Sequence, residues 1–96
     1  MKTYIETIEK GVQIRIFEED INMDIYYKLT GCLDRDRSVQ AGKKNMTFET
    51  PIYDYVYKEI PFSVLFDELC DETFVFVEDK YSYDAIVGLI ESYKIS

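Results

Sequence analysis

The stretch PFSVLFDELCDE, residues 61–72, decides how this chain is read. Phe62, Leu65, Phe66 and Leu69 fall at i, i+3, i+4 and i+7, the spacing of one helical face. Pro61 suits the first helical position, where its missing N–H would have had no intrahelical partner anyway. With a helix here, the chain divides into extended segments before residue 61 and a strand followed by a second helix after residue 72.

Upstream, TYIETIEKGVQIRIFEE (3–19) reads as two strands joined at Glu9-Lys10-Gly11. Val12, Ile14 and Ile16 alternate with Gln13, Arg15 and Phe17, the period of a half-buried strand. Gly11 supplies the positive φ that short hairpin loops often require. NMDIYYKL (22–29) reads as a third strand, with Met23, Ile25, Tyr27 and Leu29 on one face. TGCLDRDRSVQAGKKN (30–45) has no clear period, and a mobile loop at about 31–45 is expected. MTFETPIYDYVYKEI (46–60) is extended again and bent at Pro51. Downstream, TFVFVED (73–79) is a nearly continuous apolar strand, expected to be central in the sheet. Ser82 is then read as the cap of a helix that carries Ile86, Leu89, Ile90 and Tyr93 on one stripe, with Asp84 in its first turn. The order is ββββ-α-β-α: a single α+β domain over residues 1–96, with a mostly antiparallel sheet of about five strands and two helices on one face.

Composition narrows the function. Apolar residues make up 47% of the 96, ample for a core that buries roughly 65% of the unfolded surface. No apolar run approaches the roughly 20 residues of a membrane helix, and the N-terminus lacks the apolar stretch of a secretory signal. Cys32 and Cys70 have no metal-like or redox-like spacing, which suits two reduced cysteines in a cytoplasmic protein. Histidine is absent, which removes Ser–His–Asp and Cys–His nucleophilic systems and His-ligated metals. No glycine-rich phosphate cradle is present, and Asp34–Ser38 lacks the later glycine and glutamate of a calcium loop. A non-enzymatic protein without a cofactor is expected.

Charge points to a partner. The net charge of −8 disfavours direct binding to nucleic acid or an anionic membrane and suits a protein with a basic surface. Asp67, Glu68, Asp71 and Glu72 pair at i, i+4 in the expected helix, a spacing at which like charges destabilise. Asp71 and Glu72 also sit at the end where the macrodipole disfavours anions. Such a ridge carries about one charge per 2 Å, near the density along duplex DNA. It is either an ordinary solvated face or a contact for a nucleic-acid-binding groove, with Glu78 and Asp79 adding to it. Tyr53, Tyr55 and Tyr57 share one strand face, either turned to the helices or presented as contact anchors. Arg35, Arg37, Lys43 and Lys44 form a basic insert, a second candidate contact arm.

The profile (short, acidic, without catalytic equipment) is similar in composition alone to small inhibitor or accessory proteins of phages and mobile elements, some of which act as nucleic-acid mimics in anti-defence. It implies occlusion of a nucleic-acid-binding partner. The alternatives are a self-associating module, forming a homo-oligomer, and a binder of a phosphorylated small ligand through the basic insert.

Overall fold

The computed structural model describes residues 2–8, 11–17, 22–46, 51–67 and 72–93. Strands β1 (Lys2–Ile8) and β2 (Gly11–Phe17) precede helix α1 (Asn22–Arg35). Strands β3 (Val39–Met46), β4 (Pro51–Tyr57), β5 (Ile60–Asp67) and β6 (Glu72–Val77) follow, and helix α2 (Tyr83–Ser92) comes last. The class is α+β, with six strands rather than five. They form one sheet in the order β1-β2-β6-β5-β4-β3, and every neighbouring pair is antiparallel.

β2 and β3 therefore run in the same direction with three strands between them. A chain joining two such strands must cross the sheet, usually as a helix. NMDIYYKL supplies that helix instead of the expected strand: α1 packs on β6, β5 and β3. Its buried residues are Ile25, Tyr26, Leu29, Thr30 and Leu33, one helical stripe. Thr30 sits inside the stripe because its Oγ donates to the carbonyl of Tyr26 at 2.9 Å, which satisfies the hydroxyl within the helix.

The segment 61–67 corrects the helical reading. Phe62, Val64 and Phe66 are buried on one side of β5, opposite Val77, Val75 and Thr73 of β6. Pro61 stands one residue beyond the last β5–β6 pair, where a missing N–H breaks no ladder bond. The mobile loop expected at 31–45 is also absent. Its residues close α1, turn at Asp36–Ser38 and form β3, with a bulge between Ala41 and Lys44.

The core lies between the helices and one sheet face. Val12, Ile14, Val39, Tyr55, Phe62, Val64, Phe66, Val75 and Val77 meet Ile25, Leu29 and Leu33 of α1 and Ile86, Leu89 and Ile90 of α2. The α2 stripe is as expected, as is the central place of β6. Ser82 caps differently: its hydroxyl donates to Asp79 Oδ2 at 2.7 Å and makes no side-chain cap bond to the helix.

Four backbone positions lead to measurable outcomes. A Cβ on Gly11 would lie 2.4 Å from the carbonyl oxygen of Val77, so close approach of β2 to β6 is what requires this glycine. Gly11→Ala is expected to cost about 1–3 kcal/mol in urea unfolding. Gly88, exposed in α2 with nothing near its Cβ position, gives the opposite sign, a gain of up to about 1 kcal/mol as alanine. Lys58 and Glu59 both have positive φ, 50° and 66°, in the two-residue turn between β4 and β5. Changing them to Asn-Gly removes left-handed strain of about 1–2 kcal/mol per residue and should raise the urea midpoint.

Candidate functional site

Strand alternation assigns the tyrosines. Tyr55 is 1% exposed, and Tyr53 and Tyr57 pack partly buried against the core, so the stripe faces the helices and not the open side of the sheet. Tyr55 stacks on Phe62 at 5.6 Å between centroids. Tyr53 lies 5.7 Å from the ring of Tyr26, which also meets Phe66 edge-on. The hydroxyl of Tyr55 donates to Asp34 Oδ1 at 3.1 Å, and Asp34 Oδ2 pairs with Lys44 at 2.9 Å. Lys44 also lies over the Tyr53 ring, 4.9 Å from its centroid. Lys44 thus fastens α1 to β3. Arg35, Arg37 and Lys43 are exposed, at the helix end, the turn and the bulge, so the basic insert is split among three elements.

The acidic residues are also redistributed. Asp67 ends β5 directly opposite Glu72, which begins β6; Glu68 and Asp71 lie outside the described residues, as does Cys70. Asp67 and Glu72 therefore belong to two neighbouring strands and not to one helix. Asp79 is committed to the approach to α2, accepting from Tyr81 N–H at 2.9 Å and from the Ser82 hydroxyl. Those two bonds, the backbone one first, hold its carboxyl below the ordinary carboxylate range. Glu78 is exposed.

What the helices leave uncovered is the other face of the sheet, and its register gives a clear layout. One cross-strand row runs through Ile52, Leu65, Phe74 and, at its β2 position, Arg15. The next runs through Glu6, Gln13, Phe76, Ser63 and Asp54. Phe74 is buried yet lies outside the helix-covered core cluster, and Ile52, Leu65, Phe76 and Val56 are half-buried. Asp67 and Glu72 share this face by alternation. An apolar centre is thus bordered by carboxylates of Glu6, Asp54, Asp67, Glu72 and Glu78.

Within this face an open hollow of about 250 Å³ lies over β4, β5 and β6. Asp54 and Glu78 line it with Val56, Pro61, Ser63 and Phe76. Asp54 Oδ1 accepts from the Ser63 hydroxyl at 2.6 Å, which fixes the carboxylate on the sheet. Gly42 of β3 borders the hollow, and a Cβ there would lie 3.2 Å from the Asp54 carbonyl oxygen. In the sequence, Ile52, Asp54 and Val56 alternate with the tyrosines and so share the opposite strand face. The usable signal was that mixed alternation.

Among the described residues, no group of three or more Cys, Asp or Glu could hold a metal ion, and no helix is long and apolar enough to cross a membrane. No family model matches the chain, and neither a curated protein nor a solved structure matches it.

The tyrosine contacts give two pH limits. Burial, then neighbouring groups including Asp34 beside Tyr55, pushes the phenols of Tyr26 and Tyr55 well above the ordinary tyrosine value. Tyr93 is raised by burial and by its 2.7 Å hydrogen bond to Asp36. A raised folded-state pKa adds stability that is complete below the unfolded value near 10 and is lost as pH rises beyond it. In an alkaline titration, a fraction of the phenolate absorbance should therefore appear only with the loss of circular dichroism. Asp36 runs the other way. The Ser38 hydroxyl, then Tyr93 and the Ser38 N–H, lower its pKa from 3.8, so its contribution is present above that value and lost as pH falls below it. Asp36→Asn should flatten that acid limb. Separately, Asp34→Ala leaves the buried Tyr55 hydroxyl without this acceptor and should cost about 1–3 kcal/mol in urea unfolding.

Proposed function

We propose that this chain is a small acidic binding protein that works without turnover, as an inhibitor or accessory protein occluding the basic surface of a nucleic-acid-binding partner. The observation that carries this reading is the helix-free sheet face, an apolar centre bordered by Glu6, Asp54, Asp67, Glu72 and Glu78. Apolar rows supply desolvated contact area, and a carboxylate border favours a basic partner and steers its approach. The net charge of −8 extends that attraction over the whole molecule. Occlusion is steric and electrostatic: a groove filled by this face is closed to a phosphate backbone. Cytoplasmic placement, as in phage anti-defence proteins, belongs to the same reading.

Self-association is the second reading, and one observation favours it. Ile5 on the edge strand β1 is 48% exposed, and an edge strand presents unpaired backbone groups to another copy. It predicts an oligomer with little salt sensitivity. A phosphorylated-ligand site is less well supported, because the basic insert is divided among helix, turn and strand.

The test is capture from a nuclease-treated lysate at low and high salt. Wild type runs beside a Glu6→Gln, Asp54→Asn, Glu78→Gln variant, with both confirmed folded by circular dichroism. The expected result is a basic protein captured by the wild type only, released by salt, whose binding to DNA or RNA is inhibited by the added wild type. If both baits retain the same proteins, or only copies of the chain itself, the acidic-face reading fails.

A further inference from the structure

The hollow beside Asp54 has a chemistry more specific than the face around it. Resting on the occlusion reading above, the geometry points to this hollow as the socket for one arginine side chain of the partner, held between Asp54 and Glu78 and stacked against Phe76.

Charge complementarity is the first argument. Two carboxylates line the hollow and no basic side chain lines it among the described residues. Lys44 is turned to Asp34, and Lys58 lies over the Tyr57 ring at 5.3 Å. Neither lines the hollow, whose described lining carries two carboxylates and no cation.

Size is the second. About 250 Å³ falls below the roughly 300–1,000 Å³ of pockets that enclose drug-sized molecules. A single long side chain is in better proportion to it than a free cofactor or a nucleotide.

Shape and polarity then choose between the cations. The Asp54 carboxylate is fixed by the Ser63 hydroxyl, so it meets an incoming group in one orientation. Val56, Pro61 and Phe76 supply apolar walls. A guanidinium is planar, weakly hydrated, stacks on aromatic faces and grips carboxylates with paired N–H groups, whereas an ammonium is compact and strongly hydrated. A site that pairs an oriented carboxylate with an aromatic wall discriminates in favour of arginine.

The experiment titrates ¹⁵N-labelled protein with three acetylated, amidated Gly-Xaa peptides of equal length, carrying arginine, lysine or citrulline. At low salt the arginine peptide should shift the amides of Asp54, Ser63, Phe76 and Glu78. It should bind about tenfold more tightly than the lysine peptide, and citrulline should not bind. Asp54→Asn and Glu78→Gln should each weaken the arginine peptide about tenfold while the spectrum stays dispersed, which shows that the variants are folded. Equal binding of the arginine and lysine peptides, with shifts spread over the acidic surface, overturns the socket and leaves the acidic binder standing. Binding by citrulline as strong as by arginine also overturns it. If neither cationic peptide binds, the socket is overturned, while the occlusion reading stands or falls separately on the lysate capture and the inhibition of the partner's nucleic-acid binding.

Discussion

Everything in this molecule follows from a mismatch of widths. Six strands spaced at about 4.8 Å span about 24 Å between the outer backbones. Two helices laid side by side, each about 10 Å across, cover about 20 Å of one face. The chain has only two helices in its described part, and both contribute to the same core. One face is therefore sealed down to 0% exposure at Ile14, Val64, Val75 and Val77. Cover runs out at β1: Ile5 lies on the sealed side, opposite Ile14, yet is 48% exposed. The other face carries no described helix, and it mixes buried and half-buried apolar positions with carboxylates.

The parts of this arrangement legible in the sequence are those where one period dominates. The N-terminal hairpin, the apolar strand β6 and the stripe of α2 were all readable, as was the shared face of the tyrosines, though not which way that face turns. Two elements exchanged identities because residues four apart satisfy both templates. Ile25 and Leu29 fit a strand at i, i+2, i+4 as well as a helix at i, i+4, and only the crossover from β2 to β3 settles the choice. Phe62 and Phe66 have the same ambiguity. There the deciding residue was Val64, whose place between them on the buried side is a strand feature. Leu65 obscured it, because an apolar residue on the uncovered face breaks the alternation that would have marked a strand. The segment 30–45 looked aperiodic since it joins the end of a helix, a turn and a bulged strand within sixteen positions.

The candidate site was less legible for a related reason. Acidic content is visible at once, but its grouping depends on register. Asp67 and Glu72 come together across two strands, and Asp54 meets Glu78 at a hollow although 24 positions separate them in the chain. Asp79, by contrast, looked like part of the same acidic run and is used in the turn into α2. Sequence proximity overstated one grouping and concealed the other, because neighbours along a strand point to opposite faces.

The β2–β6 seam has one more implication. It joins the first hairpin to the rest of the sheet through pairs such as Ile14 with Val75, about sixty positions apart. A hairpin that leaves its own β6 finds an identical β6 on a neighbouring copy, with the same register and the same glycine contact. A reciprocal exchange of first hairpins between two chains would leave this seam with the same kinds of contact. The seam thus specifies that β2 pairs with β6, through register and a close glycine contact, and not which chain supplies each strand.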